Sequence, residues 1–485
     1  MSRTAIFRQL VSDHMHAAPL VVDAATASRE VVARMAESGV TAAVVTGGDG
    51  RIRGIITEQD VTRRLAFRAT PETPAGDVMT GPVMTIAADD FLYHAIARMR
   101  RFRLRHMPVV DEAGAVAGML NLDAALAVAA GDQIGQIDSL TQEGTLDGLR
   151  EVKAAEVALA EELFADDVPA PEIQSVLTHV NRDIHRRILD ANLAAMKEEG
   201  MGDPPVEFAF IIMGSGGRGE SYVYPDQDNG LILDDYPDDE HDRVDGWFTE
   251  LADRLATDLD TVGFPRCKGH VMAINPVWRK SISQWRAQIA GWCRRRSTVA
   301  LRLADIFFDF RPICGARDLA GNLRDYVTEL MPANPVMLQE LQYDDEDAGV
   351  GLGWFNRFIT EKHDEDHLGK LNLKTTGTLP LVQATRLLAL REGIPATSTL
   401  ARLEALYGNG TIDGDLYDYL QGAFRHIATL LLRQQIADFN AGNEVSNYVH
   451  PKGLSKRERD MLVDSLQAIR RLRQQVRAEF TGEIL

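Results

Sequence analysis

The chain runs to 485 residues, with 52 Lys and Arg against 71 Asp and Glu and a formal net charge of −19. That is too long for one hydrophobic core and implies about three or four domains. The acidic balance excludes a general nucleic-acid surface, and with it a polymerase working on long DNA or RNA. No apolar segment reaches the ~18 residues a membrane span needs, and the opening residues MSRTAIFRQLVSDH hold no signal-peptide core. Cys267, Cys293 and Cys314 form no C-x-x-C pair. Neither a zinc site nor a disulfide framework is expected, and a reducing cytoplasm is the expected setting.

Residues 10–130 repeat with a period of about 64. His14-Met15 matches Val78-Met79, Met35 matches Met99, and Val44-Val45 matches Val109-Val110. The string GIIT from Gly54 matches GMLN from Gly118. Each copy reads as a short strand, an amphipathic helix (27–37 and 90–100), two strands and a second helix. This duplication resembles a tandem CBS pair, a regulatory module. The resemblance implies an adenine nucleotide as effector and face-to-face pairing into a homodimer. The residues that match the family's ribose and phosphate pattern lie in the first copy, GIITEQD from Gly54. Thr57 would bond a phosphate or ribose, and Asp60 the ribose hydroxyls. In the second copy Asn121 and Ala124 stand at those positions, so one adenosine site is expected. Thr57 and Asp60 also suit a simpler task, capping a helix expected at 59–66.

From 131 to 200 the pattern is helical and charged, with apolar spacing of three and four residues over 149–164 and 171–196. This segment reads as a helical connector. Its His179 and His185 lack i, i+4 spacing and read as surface or core-edge residues rather than metal ligands. Pro204-Pro205 marks the entry to the next domain.

The stretch 207–235 carries the chemistry. An apolar run from Phe208 to Met213 reads as a buried strand and breaks into a loop rich in glycine, with Gly214 and Ser215 at its start. Asp226 and Asp228 follow, directly before a second apolar run. Glycines let backbone amides approach phosphate oxygens, and the Ser215 hydroxyl adds a donor. In extended backbone Asp226 and Asp228 share a side and suit Mg²⁺, which binds through one or two carboxylates plus substrate phosphates. Asp309 is the candidate third carboxylate for a two-metal site. It lies in 306–312, IFFDFRP, which reads as a strand with Asp309 and Arg311 on one face. Arg218, Arg279 and Lys280 are candidates to neutralise a triphosphate, with a solvated surface charge as the plainer reading of each.

The order of these residues, G-S, an acidic pair, then a distant D-x-R, resembles the DNA polymerase beta-type nucleotidyltransferase superfamily. The longer string GSGGRGE…PDQDNGLIL is similar to the N-terminal domain of protein-PII uridylyltransferases. It is most similar to the bacterial family of nucleotidyltransferases that carry CBS domains in front. The resemblance implies an NTP substrate, with Gly214 and Ser215 on the triphosphate and Asp226 and Asp228 on Mg²⁺. Asp309 would hold a metal and the incoming nucleophile. The polar Gln227 and Asn229 depart from the superfamily's apolar pattern and leave the start of the second strand, and the aim of Asp228, open.

Beyond 315 long amphipathic patterns at 379–391, 399–407, 416–439 and 455–480 read as helices. The stretch 370–390 resembles the C-terminal domain of the same family, and the resemblance lets Lys374 reach the nucleotide. His363-Asp364 sits in a charged loop and reads as solvated. The fold class is α+β and multidomain. It comprises a tandem CBS module (10–130), a helical connector (131–205), a polymerase beta-like nucleotidyltransferase domain (206–315) and a C-terminal helical domain (316–485). The functional reading is transfer of a nucleoside monophosphate onto a PII-like protein or a small molecule, without long nucleic acid or membrane. The competing reading is a nucleotide sensor whose transferase fold is silent.

Overall fold

The computed structural model describes residues 10–16, 20–48, 50–61, 70–90, 92–102, 104–111, 114–129, 145–345 and 349–481. Three parts of the sequence reading lie outside the described residues: the opening residues 1–9, the expected 59–66 helix beyond Val61, and the start of the connector at 131–144. The chain divides into two compact units, Met1–Gln136 and Ile137–Leu485.

The first unit is the duplication. One copy holds β1 (Leu20–Asp23), α1 (Ser28–Ser38), β2 (Ala42–Thr46) and β3 (Ile52–Thr57). The other holds β4 (Ile86–Ala87), α2 (Leu92–Arg101), β5 (His106–Val110), β6 (Val116–Asn121) and α3 (Leu122–Ala129). Each copy makes a three-stranded sheet, the first pair of strands parallel and the second antiparallel. β2 is buried at every position because its two faces serve two cores. Ala43 and Val45 pack under α1, while Ala42 and Val44 meet Met119 of the other copy. The copies also exchange leading segments. His16 pairs with Met119, and Thr80 with Ile55. A Cβ at Gly54 would lie 2.5 Å from Met79 Sδ, and one at Gly118 would lie 2.5 Å from Met15 Sδ. Only glycine admits that methionine at each place, so the repeated Gly and Met of the sequence are one packing device used twice.

The second unit opens with an antiparallel helix pair, α4 (Leu146–Ala165) and α5 (Ala170–Glu198). A four-stranded mixed sheet follows, ordered β10-β7-β8-β9 in the numbering used here: β7 Phe208–Ile212, β8 Asn229–Leu233, β9 Arg279–Ser281 and β10 Arg311–Gly315. The short α6 (Gly214–Arg218) joins β7 toward β8, and α7 (His241–Val262) leads on to β9. The five residues of β7 and the five of β8 are all buried, as helices cover both faces of this sheet. Then come α8 (Ile282–Arg295), α9 (Thr298–Phe307), α10 (Arg317–Leu330) and α11 (Pro335–Asp345). The small β11 (Leu371–Asn372) and β12 (Tyr448–Val449) pair with each other. Around them stand α12 (Leu379–Arg391), α13 (Thr399–Gly408), α14 (Gly414–Asn440) and α15 (Lys456–Thr481), at the places where the apolar periodicity put helices. Among the described residues no helix is long and apolar enough to cross a membrane.

One expectation fails locally. The run 306–312 is not a strand: α9 ends at Phe307, Phe308 and Asp309 form a turn, and β10 starts at Arg311. The cause is aromatic packing. Phe307 stacks on Trp285 with ring centroids 4.6 Å apart and on Phe310 at 4.8 Å. A strand would put Phe307 and Phe310 on opposite faces, whereas a turn brings both into one cluster.

His185 of α5 is buried, donates through Nδ1 to the Asn181 carbonyl at 2.7 Å, and meets Phe264 edge-on at 4.6 Å. Burial drives its pKa down to about 4, so the folded chain holds it neutral. The unfolded chain would protonate it near 6.5. Its contribution is therefore complete above pH 6.5 and is lost as pH falls toward 4, at most about 3 kcal/mol. A His185→Phe variant is expected to lose less stability than the wild type over that window in guanidinium unfolding at stepped pH. Parallel losses would contradict the assignment.

Candidate functional site

β7 delivers the chain into the glycine turn. Gly214 takes a left-handed φ of +56°, and a Cβ there would sit 2.7 Å from Asp228 Oδ2. The carboxylate thus lies against the turn, and the Met213 amide donates to the Asp228 carbonyl at 2.8 Å. The amides of Gly214, Ser215 and Gly216 open α6, where no earlier turn supplies an acceptor. Gly217 is fixed by a different neighbour: a Cβ there would lie 1.8 Å from the Asp309 carbonyl oxygen.

The two polar residues around the acid pair have structural duties. Gln227 is fully buried and donates through Nε2 to the carbonyls of Ala256 at 3.0 Å and Phe264 at 2.8 Å. Asn229 accepts from the Ala273 amide at 2.9 Å. With Gln227 pinned inward, Asp226 and Asp228 are left to line the cleft on the other side, and β8 begins at Asn229. Asp226 is exposed and Asp228 half-buried. Burial pushes the Asp228 pKa up to about 6, and the Asp226 charge adds to the rise. A hydrogen bond from the Cys267 thiol and the charges of Lys374 and Arg218 work against it. Lys374 is exposed and lies just before α12, in the C-terminal region.

Asp309 is elsewhere. Its side chain is wholly buried among three guanidiniums. Oδ2 accepts from Arg218 at 2.8 Å and from Arg386 at 2.5 Å, and Oδ1 pairs with Arg402 at 2.7 Å. Burial alone would raise its pKa, but Arg386, Arg402 and Arg218 outweigh that and hold it far below the usual carboxylate range. Among the described residues no three His, Cys, Asp or Glu side chains gather as a metal cluster. Asp309, expected as the third carboxylate, is instead engaged through both oxygens as the counter-ion of Arg218, Arg386 and Arg402. Arg311, expected beside it, donates instead to Thr397 Oγ1 at 3.1 Å.

Of the three candidate phosphate cations, Arg218 and Arg279 are engaged within the protein. Arg218 divides its charge between Glu220 at 2.7 Å and Asp309. Arg279 is 4 % exposed and spends its donors on Asp245, Thr249 and the Ala273 and Ile274 carbonyls. Lys280 is half-buried.

The cleft beside the acid pair has a second wall that sequence reasoning missed. Thr178, Asn181, Arg182 and His185 of α5 line the same cleft as Ser215, Asp226 and Asp228. Behind Asn181 stands Lys153 of α4, 5 % exposed, with its ammonium on Glu156 Oε2 at 2.7 Å, Asn181 Oδ1 at 2.9 Å and the Val223 carbonyl at 3.1 Å. The signal in the sequence was a Lys, a Glu and an Asn at core positions of two amphipathic helices. In the first unit, Asp60 Oδ2 accepts from the Thr57 amide at 3.0 Å and the Thr57 hydroxyl at 2.8 Å, and Oδ1 accepts from Thr80 at 2.9 Å. That is the capping geometry anticipated for the pair. In the second copy Asn121 keeps the cap alone, accepting from the Ala124 amide at 3.3 Å.

Comparison with known proteins covers most of this layout. Residues 155–298 match the family described as "Putative nucleotidyltransferase DUF294". Residues 335–480 match "Putative nucleotidyltransferase substrate binding domain". Residues 11–67 and 75–131 each match the CBS domain. A CBS domain-containing protein of Arabidopsis thaliana, CBSCBSPB1, is 30% identical over 127 residues, 26% of this chain and 22% of its own. The chain thus spans about a fifth of the length of the curated relatives it matches. Among solved structures, a CBS domain protein of Pyrobaculum aerophilum complexed with AMP is 27% identical, with a TM-score of 0.23. That match covers 24% of this chain and 88% of that one.

Charge removal separates the structural acid from the cleft acid. Asp309→Asn leaves three buried guanidiniums short of a counter-ion and is expected to cost about 3–5 kcal/mol. Asp226→Asn, at an exposed position, is expected to stay within about 0.5 kcal/mol of wild type. Denaturant unfolding of both variants checks the contrast, and equal stabilities would refute the counter-ion role.

Proposed function

The chain belongs to the family of nucleotidyltransferases joined to CBS domains, and from that premise we propose Mg²⁺-dependent transfer of a nucleoside monophosphate from an NTP. The carrying observation is that Ser215, Asp226 and Asp228 share one cleft at the end of β7. Two neighbouring like charges, one of them pressed against the glycine turn, fit a hard divalent cation completed by substrate phosphates. Such an ion, when bound, polarises the phosphoryl group and offsets the charge of the leaving pyrophosphate. The chain's own contribution is placement. The opening amides of α6 and the Ser215 hydroxyl hold the triphosphate, and Lys374 approaches from the C-terminal region. The acceptor hydroxyl oxygen attacks the α-phosphorus, the P–O bond to pyrophosphate breaks, and the hydroxyl proton leaves to solvent. The family description of 335–480 supports recognition of the acceptor there. A PII-like protein and a small alcohol both suit this chemistry.

The CBS module is read as the regulatory part. An adenine nucleotide would be taken at Thr57 and Asp60, whose side chains are already oriented by each other and by Thr80. Modules of this kind paired face to face would make the protein a homodimer. A second reading draws on one observation: caged Asp309 leaves the site without a third carboxylate. On that reading the chain is a nucleotide sensor with a silent transferase fold.

Incubation with each labelled NTP, Mg²⁺ and a lysate of acceptors decides between them. Wild type is expected to transfer label or release pyrophosphate, and Asp226→Ala with Asp228→Ala to lose on the order of a thousandfold. AMP is expected to alter the wild-type rate and to leave a Thr57→Ala/Asp60→Ala variant unmoved. Equal turnover in wild type and the Asp226/Asp228 variant would sink the enzyme and leave the sensor.

A further inference from the structure

We infer that Asn181 and Arg182 of α5 form the phosphate-facing wall of this cleft and donate to the triphosphate's non-bridging oxygens. The inference rests on the transferase reading and adds to it residues that neither the sequence motifs nor the family assignments single out.

The first observation is the orientation of the Asn181 amide. An ammonium has only donors, so the amide presents its oxygen to Lys153 Nζ, 2.9 Å away. Lys153 cannot turn aside, because Glu156 and the Val223 carbonyl hold it on two other sides. The Asn181 nitrogen therefore points the other way. It is buried, the residue being 4 % exposed, and it has no hydrogen-bond partner in the protein. A buried donor left unpaired is destabilising. The cleft is where an acceptor for it can come from, since Asn181 lines that cleft together with Ser215, Asp226 and Asp228.

The second observation is the charge of this wall. Arg182, the next residue, lines the same cleft and is steadied by donating to the Pro312 carbonyl at 3.0 Å. The amide beside it is held by Lys153, which polarises its N–H groups. A guanidinium and a cation-backed amide side by side favour anionic oxygens over the neutral carbonyls of a base. The acid pair would hold the cation on one side of the triphosphate, and α5 would hold the oxygens on the other.

The test uses calorimetry on the full chain with Mg²⁺ and α,β-methylene analogues of ATP, UTP, GTP and CTP. A Thr57→Ala/Asp60→Ala background keeps the CBS module out of the signal. Asn181→Asp preserves an oxygen for Lys153, removes both donors and adds a repelling charge. It is expected to bind the preferred analogue at least about tenfold more weakly with its thermal midpoint unchanged. Arg182→Gln serves as the second variant should Asn181→Asp fold poorly, and the same loss is expected. If the background protein binds an analogue and both variants bind it equally well, the α5 wall is structural and this inference fails alone. If the background protein binds none of the four, the transferase reading fails and takes this inference with it.

Discussion

The second unit is organised around one buried carboxylate held by three guanidiniums. Asp309 sits at the turn between α9 and β10 and draws Arg218 from the glycine turn and Arg386 and Arg402 from the C-terminal helices. Three guanidiniums on one buried acid are stable only if further carboxylates share the load. Glu220 and Asp305 do so, pairing with Arg218 and Arg386. The same loop is tied from other sides. Glu220 accepts from the Thr399 amide at 2.6 Å, and Thr397 donates to the Gly217 carbonyl at 3.2 Å. The glycine turn, which must be shaped for a ligand, is therefore set by C-terminal residues far away in sequence. A core acid of this kind adds specificity of arrangement more than net stability, since burying the charges costs much of what their attraction returns.

That network explains why the cleft has the polarity it has. The positive charges nearest the turn are spent on Asp309 and Glu220, so the acid pair keeps its negative character toward solvent. Asp228 feels its own burial and the neighbouring Asp226 more than any cation. A site in that condition is suited to a divalent ion arriving with its substrate. The connector helices complete it: α5 supplies a wall, and the Lys153–Glu156 pair of α4 braces that wall from behind. The connector is part of the site, consistent with a family match that begins at residue 155, ahead of β7.

Much of this could be read from the residues in order. Periodicity located α4, α5 and the four long C-terminal helices, and the internal duplication located both sheets of the first unit. The glycine turn and the Asp226/Asp228 pair were visible because strand, turn and acids are contiguous. What stayed hidden depends on contacts distant in sequence. Asp309 looked like a metal ligand because its spacing fits one. Nothing in IFFDFRP indicates that Arg386 and Arg402 will surround it. The strand expected at 306–312 failed because alternation of Phe and polar residues fits both a strand and a turn, and the stacking of Phe307 on Trp285 decides for the turn. Gln227 and Asn229 broke the apolar pattern, yet each is a buried brace, and their duties show only once Ala256, Phe264 and Ala273 stand beside them.

On the proposed function, Asp226 and Asp228 would hold the cation of this cleft without Asp309. Electron paramagnetic resonance with Mn²⁺ in place of Mg²⁺ measures it directly, on the full chain in the presence of a methylene NTP analogue. The account expects bound Mn²⁺ in wild type and its loss in Asp226→Asn and in Asp228→Asn, with both variants folded. Mn²⁺ bound undiminished in those two variants would contradict it.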